Sequence, residues 1–197
     1  MTTATPLDAL AELATHLRRL RVPFALVGGL AASIRGEIRF TRDVDVAIVL
    51  ADDRAVESLV RDLRAARYGV QTLIEHEARG RIATVRLTSP GGVLVDLLSA
   101  SSGIEGEVVA HATPVVVEPA GELLVAAPEE LLALKVLAMT DRRLQDRIDA
   151  RNILLANPKT DLARVRLRLS QIRERGFDRG EPLEAKLAAV LEDARRV

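Results

Sequence analysis

The sequence contains no cysteine and no tryptophan, and these absences exclude several kinds of protein. Without cysteine the chain cannot form disulfides, zinc–thiolate sites or a cysteine nucleophile. Aromatic residues make up only 2% of the 197 residues, so the core must consist of Leu, Val, Ala and Ile. No apolar run approaches the roughly 20 residues that a membrane-spanning helix needs. The N-terminus also lacks the basic and apolar segments of a secretory signal. We therefore expect a cytoplasmic protein that does not enter a membrane.

An excess of one charge is also absent, because 28 basic residues balance 28 acidic ones. The chain therefore lacks the strongly basic overall field that attracts nucleic acids over long distances. A local basic face remains open, because many of the arginines follow residue 140 and arginine suits bidentate contacts with phosphate. The alternative is that these arginines lie on solvated helix faces, paired with nearby acidic residues.

The hydrophobic pattern changes along the chain from strand-like to helical. Short runs rich in Val and Ile predict strands at residues 24–27, 44–50, 70–74, 82–87, 93–98, 115–117 and 122–125. Leucine spacing and capping residues predict helices at residues 6–21, from Leu30 to near Gly36, from Asp52 to about 67, and four times after Pro128. We expect an α/β (α+β) fold, with a mixed sheet and its helices in residues 1–125, a helical bundle in residues 126–197, and the active cleft between them.

The most informative window covers residues 23–45 and reads PFALVGGLAASIRGEIRFTRDVD. Gly28 and Gly29 lie between a predicted strand and a predicted helix, where backbone N–H groups can approach a phosphate, although most such turns are only turns. Asp43 and Asp45 are two residues apart, so both side chains point to one face of a strand. Their mutual repulsion is tolerable when a cation lies between them, and Mg²⁺ prefers carboxylate and phosphate oxygens. Solvent exposure of the pair is the alternative, which the apolar residues around them disfavour.

Four further charged positions are informative, and two of them interrupt apolar segments. Asp96 lies inside an apolar strand, where a lone charge is costly unless it is paired, so a shared metal ion and a salt bridge to an arginine both remain open. Lys135 interrupts an apolar helix, and it either reaches a ligand or extends its ammonium group to the helix edge. Asp146 and Asp149 lie three residues apart on one helix face and favour pairing with the neighbouring arginines, namely Arg142, Arg143 or Arg147.

Together these features resemble the signature of the DNA polymerase β-like nucleotidyltransferase superfamily. Within that superfamily, the Gly-Gly turn followed by Arg-x-Thr-x-Asp-x-Asp resembles the AbiEii-type nucleotidyltransferases, the toxin components of type IV-like toxin–antitoxin pairs. The resemblance covers the first 100 residues. It continues more weakly into residues 128–154, where these proteins carry a lysine on one helix and aspartates on the next, here Lys135, Asp146 and Asp149.

The resemblance implies a magnesium-dependent enzyme that transfers a nucleoside monophosphate from a nucleoside triphosphate to an acceptor hydroxyl. Asp43 and Asp45 would hold two Mg²⁺ ions, and Asp96 would bind one of them and help to deprotonate the hydroxyl. Lys135 would reach the triphosphate from the helical segment. Nucleotide binding would involve Gly28, Gly29, Ser33, Arg39 and Thr41. Many superfamily members have a serine directly after the first glycine of the turn, and Ser33, one helical turn further on, could replace it.

The nature of the acceptor remains open at this point. The resemblance favours tRNA as acceptor and a cognate antitoxin protein as partner. One alternative is an enzyme that modifies small molecules, because antibiotic nucleotidyltransferases share the glycine turn and the Asp-x-Asp pair. Another is a degenerate domain that only binds a nucleotide or a protein partner. We assign no role to the histidines, which share no ligand spacing: His16, His76 and His111.

Overall fold

A seven-stranded mixed sheet forms the centre of the computed structural model, which describes residues 4–76 and 80–196. The strands are β1 (Phe24–Val27), β2 (Asp43–Ile48), β3 (Gly69–His76), β4 (Arg81–Thr88), β5 (Leu94–Leu98), β6 (Thr113–Val117) and β7 (Gly121–Val125). The helices of the described residues are α1 (Pro6–Arg19), α2 (Gly28–Arg35), α3 (Asp53–Ala65), α4 (Glu105–His111), α5 (Pro128–Ala138), α6 (Leu144–Ala156), α7 (Leu162–Glu174) and α8 (Leu183–Arg195). This architecture confirms the predicted fold class.

Strand β2 lies at the middle of the sheet, whose order is β3-β4-β5-β2-β1-β7-β6. It runs parallel to β5 on one side and antiparallel to β1 on the other. Val44, Val46 and Ile48 are fully buried, so the strand is anchored by apolar contacts on the face opposite to its two aspartates. Because β2 is paired on both edges and buried on one face, the directions of its two aspartate side chains are fixed.

Helices α1 and α3 begin where the sequence signals predict, whereas α2 begins at Gly28, two residues before the predicted start at Leu30. Thr5 and Asp8 form a reciprocal capping box before α1, and Pro6 occupies the first turn. Asp52 caps α3 through the backbone N–H of Ala55. These caps satisfy N–H groups that a helix otherwise leaves unpaired, and the leucine faces behind them pack on the sheet.

The last third of the described chain is helical from α5 onward; these helices pack on one another, and α5 and α6 also pack on α2. Because α2 follows β1 directly, α2 brings the glycine turn and the helical segment together. Helix α4 was not predicted. It has seven residues and contains Gly106 and two valines, which are weak helix formers, so tertiary packing rather than local pattern stabilises it. Among the described residues, no helix is both long enough and apolar enough to cross a membrane.

Candidate active site

Three aspartates lie together on the two parallel strands at the centre of the sheet. Asp45 on β2 is the register partner of Asp96 on β5. Asp43 precedes Asp45 by two positions on the same strand, so both side chains point to one face. Asp96 is buried, while Asp43 and Asp45 are partly buried. The strand pairing therefore brings the three sequence-predicted carboxylates to one place.

The turn between β1 and α2 lies directly against Asp45. Gly28 has a φ of +65°, and a Cβ atom at this position would be 1.9 Å from Oδ2 of Asp45. The backbone N–H of Gly29 donates a long hydrogen bond of 3.4 Å to the same oxygen. Both glycines are thus required for shape: Gly28 for its left-handed backbone, and Gly29 because a side chain would meet Thr41. The turn that we expected to approach phosphate also positions an aspartate.

Asp96 forms a salt bridge that the sequence left as an alternative to metal binding. Arg86 on β4 donates two hydrogen bonds to it, from Nε to Oδ1 at 2.8 Å and from Nη2 to Oδ2 at 2.6 Å. The hydrogen bonds and charge of Asp96 raise the pKa of Arg86. We did not predict Arg86. The signal was present in the hairpin turn, because Arg86 and Asp96 are equally distant from Gly91 and are register partners.

Asp43 and Asp45 lack such a partner. Neither forms a salt bridge within the described part of the chain, and Asp43 accepts only a hydrogen bond from the Thr41 hydroxyl, at 2.9 Å. Burial and the negative charges of Asp43 and Asp96 together raise the pKa of Asp45 to about 6, although the charge of Lys135 and the hydrogen bond from Gly29 oppose this shift. The pair is therefore a region of uncompensated negative charge.

This uncompensated pair fits a divalent cation, because carboxylate oxygens are the donors that Mg²⁺ prefers. Within residues 4–76 and 80–196, however, no group of three or more acidic or histidine side chains is arranged to hold a metal ion. Both oxygens of Asp96 accept hydrogen bonds from Arg86. Asp43 and Asp45 offer carboxylate oxygens to a metal ion, and each oxygen of Asp96 keeps a second lone pair beside its hydrogen bond from Arg86.

The segment of residues 36–42, which precedes β2, is tied to the two helices beside it. The Ser33 hydroxyl lies 3.1 Å from the carbonyl oxygen of Gly29 and 3.3 Å from that of Arg39, so it holds this segment against α2. The Arg39 guanidinium donates two hydrogen bonds of 2.7 Å to Asp149 on α6. These contacts engage two of the side chains that we expected to bind nucleotide, Ser33 and Arg39.

Lys135 lies inside an ionic cluster between α5 and α6. Its ammonium group is 2.9 Å from Asp146 and 2.7 Å from Asp149, and the residue is only 6% exposed. The alternative of a lysine extending to solvent is therefore wrong. Arg143 pairs with Asp146, as the sequence allowed, while Asp149 pairs with Arg39 rather than with a neighbouring arginine. Arg39 and Lys135 thus meet on one carboxylate, that of Asp149.

The fold is similar to that of solved nucleotidyltransferases. The antibiotic-resistance factor ANT(2'')-Ia in solution matches with a TM-score of 0.56 and 12% identity, over 86% of this chain and 91% of that chain. A crystal structure of ANT(2'')-Ia with adenylyl-2''-tobramycin gives 0.55 and 12%, over 86% and 97%. The lincosamide antibiotic adenylyltransferase LnuA with lincomycin bound gives 0.50 and 14%, over 74% and 94%. At these identities the likeness concerns the fold. A comparison with curated proteins finds no match.

The sequence itself matches a family model over residues 12–196, which is nearly the whole chain. That family is described as nucleotidyl transferase AbiEii toxin, type IV toxin–antitoxin system. The match includes the glycine turn, the three aspartates of the sheet and the Lys135 cluster, so it covers every element of the site described above. The chain therefore belongs to the AbiEii nucleotidyltransferase family and is a transferase.

Proposed function

We propose that this protein transfers a nucleoside monophosphate from a nucleoside triphosphate to a hydroxyl of tRNA, as the toxin of a toxin–antitoxin pair, with a cognate antitoxin protein as its partner. The observation that carries the proposal is the register of β2 and β5, which sets Asp45 beside Asp96 and next to Asp43. No lysine or arginine of the described residues forms a salt bridge with Asp43 or Asp45. Their unpaired negative charge supports a site for two Mg²⁺ ions at these carboxylates.

The chemistry is a displacement at the α-phosphorus. The acceptor oxygen forms a bond to this phosphorus, the bond to the bridging oxygen breaks, and pyrophosphate leaves with the electron pair. Bound magnesium would supply charge neutralisation at the attacking and leaving oxygens. Asp96 takes the proton of the acceptor hydroxyl on a lone pair that its two hydrogen bonds from Arg86 leave open. Arg86 thus holds Asp96 in place.

The remaining site residues bind the triphosphate in this proposal. Arg39 and Lys135 supply positive charge, and Asp149 holds both of them beside the glycine turn. Gly28 and Gly29 keep the turn close enough for phosphate oxygens to approach. Ser33 and Thr41 act on this turn and on Asp43 through their hydroxyl groups.

The choice of RNA as acceptor is supported by the family and by surface charge. The matching family is one of toxins from type IV systems. Arg142 lies exposed just before α6 and forms no salt bridge among the described residues, so it is available for phosphate. A small-molecule acceptor is the second candidate, because structures of similar fold contain adenylyl-2''-tobramycin and lincomycin.

The test is a labelling experiment with the purified protein. Each labelled nucleoside triphosphate is incubated in turn with Mg²⁺, total cellular RNA and total cellular protein. We expect label on tRNA from one triphosphate, released pyrophosphate in equal amount, and no label with Asp43→Ala or Asp45→Ala. Parallel reactions contain an aminoglycoside or a lincosamide instead of RNA.

Each outcome separates the candidates. Label on protein, or pyrophosphate release only with an antibiotic, would replace tRNA by the corresponding acceptor. Equal labelling by wild type and Asp45→Ala would show that these aspartates are not the metal site. Calorimetric titration of Mg²⁺ in the presence of a nonhydrolysable triphosphate gives a second readout, in which both variants should lose binding while their folded spectra remain unchanged.

A further inference from the structure

Phe40 is exposed in a chain that otherwise buries its aromatic side chains. The sequence holds three phenylalanines, one tyrosine and no tryptophan. Phe24, Tyr68 and Phe177 are 9%, 3% and 8% exposed, whereas Phe40 is 79% exposed. Its neighbour Ile38 is 91% exposed, and these are the two most exposed large hydrophobic residues of residues 4–76 and 80–196. Single exposed apolar residues are ordinary, but two in one short segment beside an active site point to a ligand.

The segment that carries them is anchored on its other side. Arg39 is held by Asp149 through two hydrogen bonds of 2.7 Å, and Glu37 accepts a hydrogen bond of 2.8 Å from Asn152 on the same helix. Thr41 donates to Asp43. The odd-numbered side chains therefore bind the protein, while the even-numbered ones remain exposed. Phe40 is therefore exposed although the segment that carries it is held to the rest of the protein by hydrogen bonds.

Arg42 completes the exposed side. Its guanidinium carbon lies 5.9 Å from the centroid of the Phe40 ring, within the range of a cation–π contact. Arg42 is exposed and takes part in no salt bridge among the described residues. An aromatic face next to an unpaired arginine combines a surface for stacking with a charge for phosphate, which is the chemistry that single-stranded nucleic acids require.

This surface lies close enough to the aspartates to bind the acceptor substrate. Phe40 precedes Asp43 by three residues, so their Cα atoms are at most about 11 Å apart. The glycine turn contacts the odd-numbered side chains, since Gly29 lies against Thr41 and Arg39. The exposed side of the segment is thus turned away from the turn proposed to hold triphosphate, and it is free for the second substrate.

We propose that Ile38, Phe40 and Arg42 form a stacking surface for the unpaired end of a single-stranded nucleic acid, a proposal that rests on the proposed function and specifies its acceptor. A terminal base stacks on the Phe40 ring, Ile38 covers its edge, and Arg42 contacts a backbone phosphate. The surface recognises an unpaired base rather than a sequence, because every base has a face that can stack.

The experiment measures binding of a fluorescein-labelled 12-nucleotide single-stranded RNA to the full chain by fluorescence anisotropy at 150 mM salt. No nucleoside triphosphate is present, so the result does not depend on transfer. Phe40→Ala should weaken binding by about 5- to 150-fold, the range for one stacked base. Phe40→Trp should retain or strengthen binding. Phe40→Leu keeps an apolar side chain but has no aromatic face, so this variant should lose most of the RNA binding.

The control variant is Val116→Ala on the edge strand β6, at the far end of the sheet from β5, where the side chain is 68% exposed. It should bind the RNA as wild type does. Arg42→Gln should weaken binding and reduce its salt dependence. Thermal unfolding of each variant is measured alongside, and Phe40→Trp provides a comparison that keeps the ring.

Several results would overturn the proposal. One is equal binding of the RNA by wild type, Phe40→Ala and Phe40→Leu, or no binding by wild type. Another is unchanged RNA binding together with reduced labelling of cellular protein by Phe40→Ala, which would make the segment a docking site for a polypeptide. If tRNA labelling fails but RNA binding still depends on Phe40, the proposed transfer is wrong and the stacking surface stands.

Discussion

The buried acidic residues of the helical segment and those of the central sheet are treated in opposite ways. In the helices, Glu130 on α5 is fully buried and pairs with both Arg164 at 2.7 Å and Arg168 at 2.9 Å. Asp146 and Asp149 likewise each have two cationic partners. Such carboxylates are compensated, and their loss would leave the buried cations Lys135 and Arg168 with fewer carboxylate partners.

In the sheet, only one of the three aspartates has a cationic partner among the described residues. Arg86 pairs with Asp96, and no cation of the described residues pairs with Asp43 or Asp45. The pKa values reflect this contrast. Burial tends to raise the pKa of Asp149, but hydrogen bonds from Arg39 and the charge of Lys135 outweigh it and lower the value, whereas the pKa of Asp45 rises to about 6. The helical acids are paired with cations, whereas Asp43 and Asp45 of the sheet have no cationic partner among the described residues.

The largest test of this contrast is Glu130→Gln. The substitution leaves Arg164 and Arg168 without their shared carboxylate in a buried position, which should lower the free energy of unfolding by about 3–5 kcal/mol. Urea denaturation followed by circular dichroism measures this loss. A loss below about 1 kcal/mol would mean that the helical acids are no more important to the fold than the acids of the sheet.

A paired test uses the same substitution in both regions. Asp149→Asn removes a charge that Arg39 and Lys135 require, and it should lower the free energy of unfolding by about 2–3 kcal/mol. Asp45→Asn removes an unpaired charge next to Asp43, and it should raise the free energy of unfolding by about 1 kcal/mol while abolishing transfer. The same urea titrations apply, and effects of equal sign would contradict the contrast.

A third test asks whether packing, rather than an ion pair, holds Asp45. Gly28→Ala adds a Cβ atom 1.9 Å from its carboxylate at a φ of +65° and should cost about 2 kcal/mol of stability as well as activity. Gly121→Ala is the matched control, because Gly121 has a φ of +72° with no atom within 4 Å of the added carbon. It should cost only the backbone strain, about 1 kcal/mol. Equal losses would mean that the contact with Asp45 is unimportant.

The smallest expected effect is that of Arg166→Gln. Arg166 and Glu184 lie 3.7 Å apart, with side chains 52% and 55% exposed. Surface pairs of this kind contribute little, so the free energy of unfolding should change by less than about 0.5 kcal/mol. A change comparable to that of Glu130→Gln in the same titration would show that burial does not separate the two classes of ion pair.

The sequence was sufficient to predict those parts of the site whose geometry follows from local periodicity. The spacing of Asp43 and Asp45 places them on one face of a strand, and the apolar strand around Asp96 predicts its position in the sheet. The Arg39–Asp149 contact joins residues 110 positions apart, and no local pattern encodes such a pairing. The exposure of Phe40 was equally out of reach, because an alternating segment does not reveal which of its sides meets the protein.

The tie between Arg39 and Asp149 also has a consequence for synthesis of the chain. During translation the glycine turn and Asp45 leave the ribosome long before residue 149 exists. At 5–20 residues per second, the 110 residues between the partners take roughly 5–20 s to add. Through that interval Arg39 has no carboxylate from α6, and the segment that bears Phe40 has no tether to that helix. The nascent chain thus carries the aspartates but cannot complete the site until most of it has been made.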